Sequence, residues 1–245
     1  MARLLAHAKL TLSLRVTGVR GDGYHLIDAE MVSLGLADGI DIEEADETTL
    51  EIDGPFAAGV PADGSNLVAR ALRLAGRTAR VRITKNIPNG GGLGGGSADA
   101  AAVLVWAGHT DAVSASALGA DIPFCMSGGR ARVTGIGEQV EPLPHRDMTF
   151  TLVIPPLHVP TPAVYRKWDE LGGPRHESGN DLTDAAIAVE PGLARWRDAI
   201  AEAAGHQPVL AGSGATWFLP GDHSRALAGS AALAGADVVT TNTRP

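Results

Sequence analysis

The 245-residue chain carries 20 Lys and Arg against 28 Asp and Glu, a net charge of −8, with 44% hydrophobic residues. That balance is globular, excludes a disordered chain, and argues against broad electrostatic binding to nucleic acid polymers or anionic membranes. The single cysteine, Cys125, excludes an internal disulfide or a cysteine-based zinc site, suits a reducing cytoplasm and reads as a buried hydrophobe.

Residues 8–17 alternate, with Leu10, Leu12, Leu14 and Val16 on one face and Lys9, Thr11, Ser13 and Arg15 on the other, the pattern of a strand with one wet face. A glycine-rich turn, Gly18 to His25, follows. Residues 28–53 read as short strands broken at Ala37-Asp38-Gly39 and near Asp46, and 54–64 as loop. Ser65 or Asn66 caps a helix running to about Ala75. Residues 79–85 alternate again, and an Ala-rich helix begins near Ser97. Its apolar run, Ala100–Ala107, is far below the ~20 residues of a membrane helix. Strands are predicted at 129–135 and 149–154. The loop carrying Pro155, Pro156, Pro160 and Pro162 is the candidate boundary between a first domain, 1–154, and a second, 155–245. Helices are predicted near 181–189 and 192–204, then a strand–Gly-Ser-Gly–strand segment over 208–219, a helix over 224–234 and a strand over 236–241. Mixed helices with many alternating strands point to an α+β fold rather than a doubly wound parallel sheet.

The segment Pro88-Asn89-Gly90-Gly91-Gly92-Leu93-Gly94-Gly95-Gly96-Ser97-Ala98 is the most unusual in the chain. Glycine costs backbone entropy on folding, so six of them in seven positions need a reason. Without Cβ atoms, backbone N–H groups can converge on a ligand. A helix start immediately after adds unpaired N–H groups and a positive dipole end, which together make an anion site. A flexible linker would not join a strand directly to a helix. No Lys follows the glycines as a P-loop requires. The formal Gly90-x-Gly92-x-x-Gly95 match to a dinucleotide loop lacks a uniformly apolar strand before it and an acidic residue about 20 positions on.

The longer pattern, from Pro88 through Gly-Gly-Gly-Leu-Gly-Gly-Gly-Ser97-Ala-Asp-Ala, resembles the phosphate loop of the GHMP small-molecule kinases. Other segments resemble, in order, one branch of that family, whose members phosphorylate the 2-hydroxyl of an alcohol carrying a cytidine diphosphate group in non-mevalonate isoprenoid synthesis. They are Ala8-Lys9-Leu10, Asp22-Gly23-Tyr24-His25, Asn66-Leu67, Leu118-Gly119-Ala120-Asp121-Ile122-Pro123-Phe124, Pro160-Thr161-Pro162 with Tyr165, and Gly212-Ser213-Gly214-Ala215. The resemblance implies two α/β sandwich-like subdomains with the active site in the cleft between them and ATP as phosphoryl donor; the chemistry then implies a Mg²⁺ bridging the ATP phosphates, with few dedicated protein ligands.

It also implies roles. Asp121 becomes the base and Lys9 the neighbouring cation, although Asp121 alone reads equally as a helix cap. The glycine loop, Asn66, Leu67 and Lys85 fall on the ATP side; taken alone, Asn66 is a cap and Lys85 a strand-end charge. Tyr24 and Tyr165 become platforms for the two faces of the pyrimidine, His25 reads its edge, and Thr161 with Gly212, Ser213 and Gly214 closes on the substrate. The only two tyrosines in the chain fall at these positions. Thr11 stands where the branch usually has Asn, and residues 107–117 replace a longer helical passage. Two rival readings therefore stay open: a GHMP kinase acting on another small alcohol, and a non-catalytic nucleotide-binding protein of the same fold. The expected state is a cytoplasmic monomer or weak homodimer.

Overall fold

The computed structural model describes all 245 residues. Strand β1 (Ala2–Val19) and strand β2 (His25–Glu44) form one long antiparallel hairpin. Its turn is tied by Asp22, which accepts both the Tyr24 N–H and a forked pair of hydrogen bonds from Arg20. β3 (Thr49–Asp53) follows, then helix α1 (Leu67–Leu74), β4 (Ala79–Thr84), α2 (Gly95–Trp106), α3 (Ala112–Ser116), α4 (Ile122–Ser127), β5 (Arg130–Gly135) and β6 (Gln139–Leu143). The second half runs β7 (Thr149–Ile154), α5 (Thr161–Glu170), α6 (Thr183–Val189), α7 (Gly192–Ala204), β8 (Val209–Leu210), β9 (Trp217–Pro220), α8 (Ser224–Leu227) and β10 (Asp237–Asn242).

Two sheets result. In the first, β2 pairs with β1 along one side. Its other side pairs with β5 over 27–32 and β4 over 39–44, and β3 and β6 complete the sheet. The second sheet has the order β10-β7-β9-β8. One hydrophobic cluster joins α1 and α2 to the first sheet through residues such as Val68, Leu72, Ile83 and Leu104. Another bridges the two halves, bringing Leu14, Val16 and Ile27 against Val164, Leu193 and Trp217. No helix is long and apolar enough to cross a membrane.

The structure revises several expectations. β2 runs unbroken through Ala37-Asp38-Gly39, and the interruption falls only after Glu44. The face of β1 expected to be wet is covered at Lys9 and Thr11, which are 5% and 1% exposed. A register shift between His7 and Lys9 re-aims this stretch, as bulges do. The helix expected over 224–234 stops at Leu227, ahead of Gly229. α3, α4, α5 and β6 were not anticipated. β7 hydrogen-bonds within the second sheet, so the two sheets part between Leu143 and Thr149, ahead of the proline loop.

A buried triad fixes the approach to the glycine loop. The Lys85 ammonium lies between Asp38 and Asp99, 2.5 Å from an Asp99 Oδ2, and all three side chains are almost fully enclosed. Asp38 Oδ1 also accepts the Asn86 and Ile87 N–H groups at 2.5 and 2.8 Å. Burial disfavours the charge on Lys85, but the two carboxylates outweigh it and hold the ammonium above its usual range. Burial pushes Asp99, whose Oδ1 has no hydrogen-bond partner, up to about 7, with Lys85 offsetting part of the effect.

The folded Asp99 carboxyl therefore holds its proton more tightly than the unfolded chain does at roughly 3.9. The stability this adds is complete below the unfolded value and is lost as pH rises from about 4 through 7. Thermal unfolding between pH 5 and 8 checks this: the decline in Tm is expected to flatten in Asp99→Asn. Lys85→Met, which strands two buried carboxylates, is expected to cost about 3–5 kcal/mol.

Candidate active site

A cleft of about 630 Å³ opens where the two halves meet. At its inner end Lys9 Nζ lies 3.3 Å from Asp121 Oδ2 and donates to Thr11 Oγ1 at 3.1 Å. Asp121 occupies the N-cap position of α4 but its side chain makes no capping bond, which leaves the carboxylate for the cleft. The ammonium is nearly enclosed, at 6% side-chain exposure, while the carboxylate keeps 31%. An enclosed cation beside a reachable carboxylate can meet a hydroxyl and the charge that develops on it during transfer.

The glycine loop forms the wall beside Lys9. Lys9 N–H donates to Leu93 C=O at 3.0 Å, tying the loop to β1. Gly94 is the N-cap of α2 with φ +69°, and a Cβ there would lie 2.8 Å from Lys9 Cγ. At Gly92, a Cβ would meet Ala211 C=O at 2.6 Å. The glycines are therefore needed for close approach, to Lys9 on one side and to the 211–214 loop on the other. α2 starts at Gly95, two residues before the expected Ser97, so Gly95, Gly96 and Ser97 supply first-turn N–H groups without helical partners. The Ser97 hydroxyl-bearing residue and Gly92 line the cleft directly.

The outer end is aromatic. Tyr24, His25 and Tyr165 line it together with Thr161, Gly212 and Ser213. Tyr24 is 59% exposed, with the Arg20 guanidinium 5.6 Å from its ring centroid. Tyr165 lies against His25 with ring centroids 4.7 Å apart, and burial pushes its phenol up, so it stays neutral. Thr161 and Ser213 share a hydrogen bond of 2.8 Å between hydroxyls, closing α5 onto the 212–214 loop. Gly214 stands behind this surface, where a Cβ would meet Leu210.

Some sequence-assigned residues lie elsewhere. Lys85 is corrected: it is 1% exposed, and its ammonium is spent on Asp38 and Asp99 rather than offered to a nucleotide. Asn66 accepts from Val68 N–H and donates to Pro61 C=O, so it serves as the α1 cap. Leu67 packs beside Gly96, and Pro88, Leu93 and Ala98 are buried under the loop. The Asn89 amide reaches Phe56 C=O at 2.5 Å, and Gly90 and Gly91 adjoin His158 and Thr216. Cys125 is half-buried between two clusters, and burial pushes its thiol up, so it stays protonated. Asp22, from the Asp22-Gly23-Tyr24-His25 motif, lines the cleft as well, and so do Arg166, Ile136 and Gly137, which the sequence did not single out. Asp99 was missed too, though a lone carboxylate in an alanine run is a signal that some cation must meet it. No cluster of three or more His, Cys, Asp or Glu is gathered for a metal ion. The Ser97 hydroxyl and the Asp121 carboxylate suit Mg²⁺ only as an ion held mainly by phosphate oxygens and water.

The family model for the GHMP kinases N terminal domain matches residues 66–129. The fold extends this likeness to the whole chain. L. major mevalonate kinase, solved in complex with R-mevalonate, superposes with a TM-score of 0.65 at 13% identity, covering 100% of this chain and 96% of that one. Homoserine kinase from Cytophaga hutchinsonii gives 0.59 at 15%, covering 97% and 94%. The fold is thus that of the GHMP kinases. Closer relatives narrow the class. The 4-diphosphocytidyl-2-C-methyl-D-erythritol kinase of Paracoccus denitrificans is 41% identical, over 88% of this chain and 85% of its own length. That of Paramagnetospirillum magneticum is 37% identical, over 94% and 93%. A crystal structure of 4-(cytidine 5'-diphospho)-2C-methyl-D-erythritol kinase superposes over 100% of both chains with a TM-score of 0.79 at 31% identity. The chain belongs to the 4-diphosphocytidyl-2-C-methyl-D-erythritol kinase family.

The tight fit at Gly94 yields a test. Gly94→Ala strains a left-handed backbone and displaces Lys9, so kcat is expected to fall about 10- to 100-fold. A steady-state assay beside circular dichroism, which is expected to show an unchanged fold, checks this.

Proposed function

We propose that this kinase transfers the γ-phosphoryl group of ATP to the 2-hydroxyl of 4-diphosphocytidyl-2-C-methyl-D-erythritol, with Asp121 as the base and Lys9 as the cation beside it. The observation that carries this reading is the 3.3 Å Lys9–Asp121 pair at the inner end of a cleft whose outer end is aromatic. The pair suits a phosphate-accepting hydroxyl, and the aromatic end suits a nucleobase.

The hydroxyl donates to Asp121 and gives up its proton as the oxygen attacks phosphorus. Lys9, 3.3 Å from that carboxylate, faces the charge developing between the two reactants. The first-turn N–H groups at Gly95, Gly96 and Ser97 face the ATP phosphates and hold them in line. The Ser97 hydroxyl would hold Mg²⁺ on the protein side, and the ion would supply charge neutralisation at the ATP phosphates.

At the far end the cytosine lies between Tyr24 and Tyr165 with His25 at its edge. The Thr161–Ser213 hydroxyl pair closes the side of the cleft where α5 meets the Gly212–Gly214 loop. Thr11 keeps a hydroxyl against Lys9 where an amide is usual, so the Lys9–Asp121 geometry does not depend on that amide. Division of the chain into an N-terminal ATP-binding domain, 1–154, and a C-terminal domain, 155–245, belongs to the same reading.

ADP release with ATP, Mg²⁺ and this substrate, together with a ³¹P signal for a new phosphomonoester, tests the assignment; ADP at background level contradicts it. Asp121→Asn is expected to lower kcat roughly 10²–10⁴-fold with ATP affinity kept. Tyr24→Ala is expected to raise KM for the cytidine substrate about tenfold or more, leaving kcat nearly unchanged, because it removes a stacking surface used equally in ground and transition states.

A further inference from the structure

His25 is held by three side chains of one helix. Its Nε2 lies 2.9 Å from Asp169 Oδ1. Its ring lies 4.7 Å from Tyr165, tilted by 32°, and 5.9 Å from Trp168, edge-on at 83°. Tyr165, Trp168 and Asp169 stand at i, i+3 and i+4 on α5 and so share a face. Trp168 is itself anchored by its indole N–H to Pro174 C=O at 3.0 Å. The imidazole thus has little freedom to turn, and its side chain is only 10% exposed.

We propose that Asp169 is the positioning residue that fixes His25 as a hydrogen-bond acceptor at Nδ1, and that this makes the base site select cytosine over uracil. An ionised carboxylate can only accept, so Nε2 must carry the hydrogen; in the neutral ring Nδ1 then carries the lone pair. Nδ1 makes no hydrogen bond within the protein, and His25 lines the cleft. Cytosine offers an amine donor at position 4, where uracil offers a carbonyl acceptor. A lone pair aimed at that edge is paired by cytosine and opposed by uracil. A buried acceptor set against another acceptor is costly, and so the discrimination is large for a single contact.

This inference rests on the cytidine-bearing substrate proposed above, and its test separates the two. Wild type, Asp169→Ala and Asp169→Asn are compared on the cytidine substrate and its uridine counterpart, with ¹⁵N spectra of the His25 ring in the free protein. Wild type is expected to show the Nε2-protonated tautomer. Asp169→Ala is expected to show mixed tautomers and a cytosine-over-uracil ratio of kcat/KM lowered about tenfold or more, through KM with kcat kept. Asp169→Asn, whose amide oxygen can accept the same hydrogen bond, is expected to restore most of the preference. An Nδ1-protonated ring in wild type, or an unchanged ratio in Asp169→Ala, overturns the proposal. Failure of wild type to phosphorylate either substrate overturns the substrate reading instead, while the ¹⁵N spectra still decide the tautomer.

Discussion

The buried contact of Lys85 with Asp38 and Asp99 is the constraint on which the rest of the site depends. A run of six glycines has no side chains with which to hold its own shape, so the shape must be imposed from its ends. Asp38, from the middle of the longest strand, takes the Asn86 and Ile87 amides at the entry. Asp99 holds the exit one turn into α2, and Lys85 ties the two together. Between these anchors the loop presses on Lys9 at Gly94 and on the 211–214 loop at Gly92, so an ion pair buried beneath the loop sets the position of the Lys9 ammonium.

The cleft gathers parts from distant stretches of chain. β1 brings Lys9, the β1–β2 turn brings Tyr24 and His25, the start of α4 brings Asp121, and α5 brings Tyr165. The acidic net charge is no obstacle to an anionic substrate, because the cleft offers backbone amides, one enclosed ammonium and aromatic surface rather than a positive field. The two ends of the cleft do different work. In the proposed reading Lys9 and Asp121 act on the transferred group, whereas the α5 face around His25 acts on the identity of the base.

Much of this was legible in the sequence where the signal is local. The glycine run announced a strand–loop–helix junction, the alternation of Leu10, Leu14 and Val16 announced β1, and the helix predicted over 192–204 is α7. What escaped depends on partners far along the chain. Ala37-Asp38-Gly39 has the chemistry of a turn, yet Asp38 stays inside β2 because Lys85 and two loop amides satisfy its carboxylate. Lys85 looked like an exposed strand end and is instead the centre of the triad. Asp169, on an exposed helix face, gains its place only when α5 is packed 144 residues away from His25. Short helices such as α3 and α4 carry too few residues for a periodic pattern; α4 is set by packing against α2, and α3 by packing against α4.

The most direct measurement is the crystal structure of the protein with a non-hydrolysable ATP analogue and the cytidine-bearing alcohol bound together. The account predicts the γ-phosphate over the N–H groups of Gly95 to Ser97, the acceptor hydroxyl within about 3 Å of the Asp121 carboxylate, and the pyrimidine between Tyr24 and Tyr165. A γ-phosphate seated away from the glycine loop, or an acceptor hydroxyl out of reach of Asp121, would contradict it.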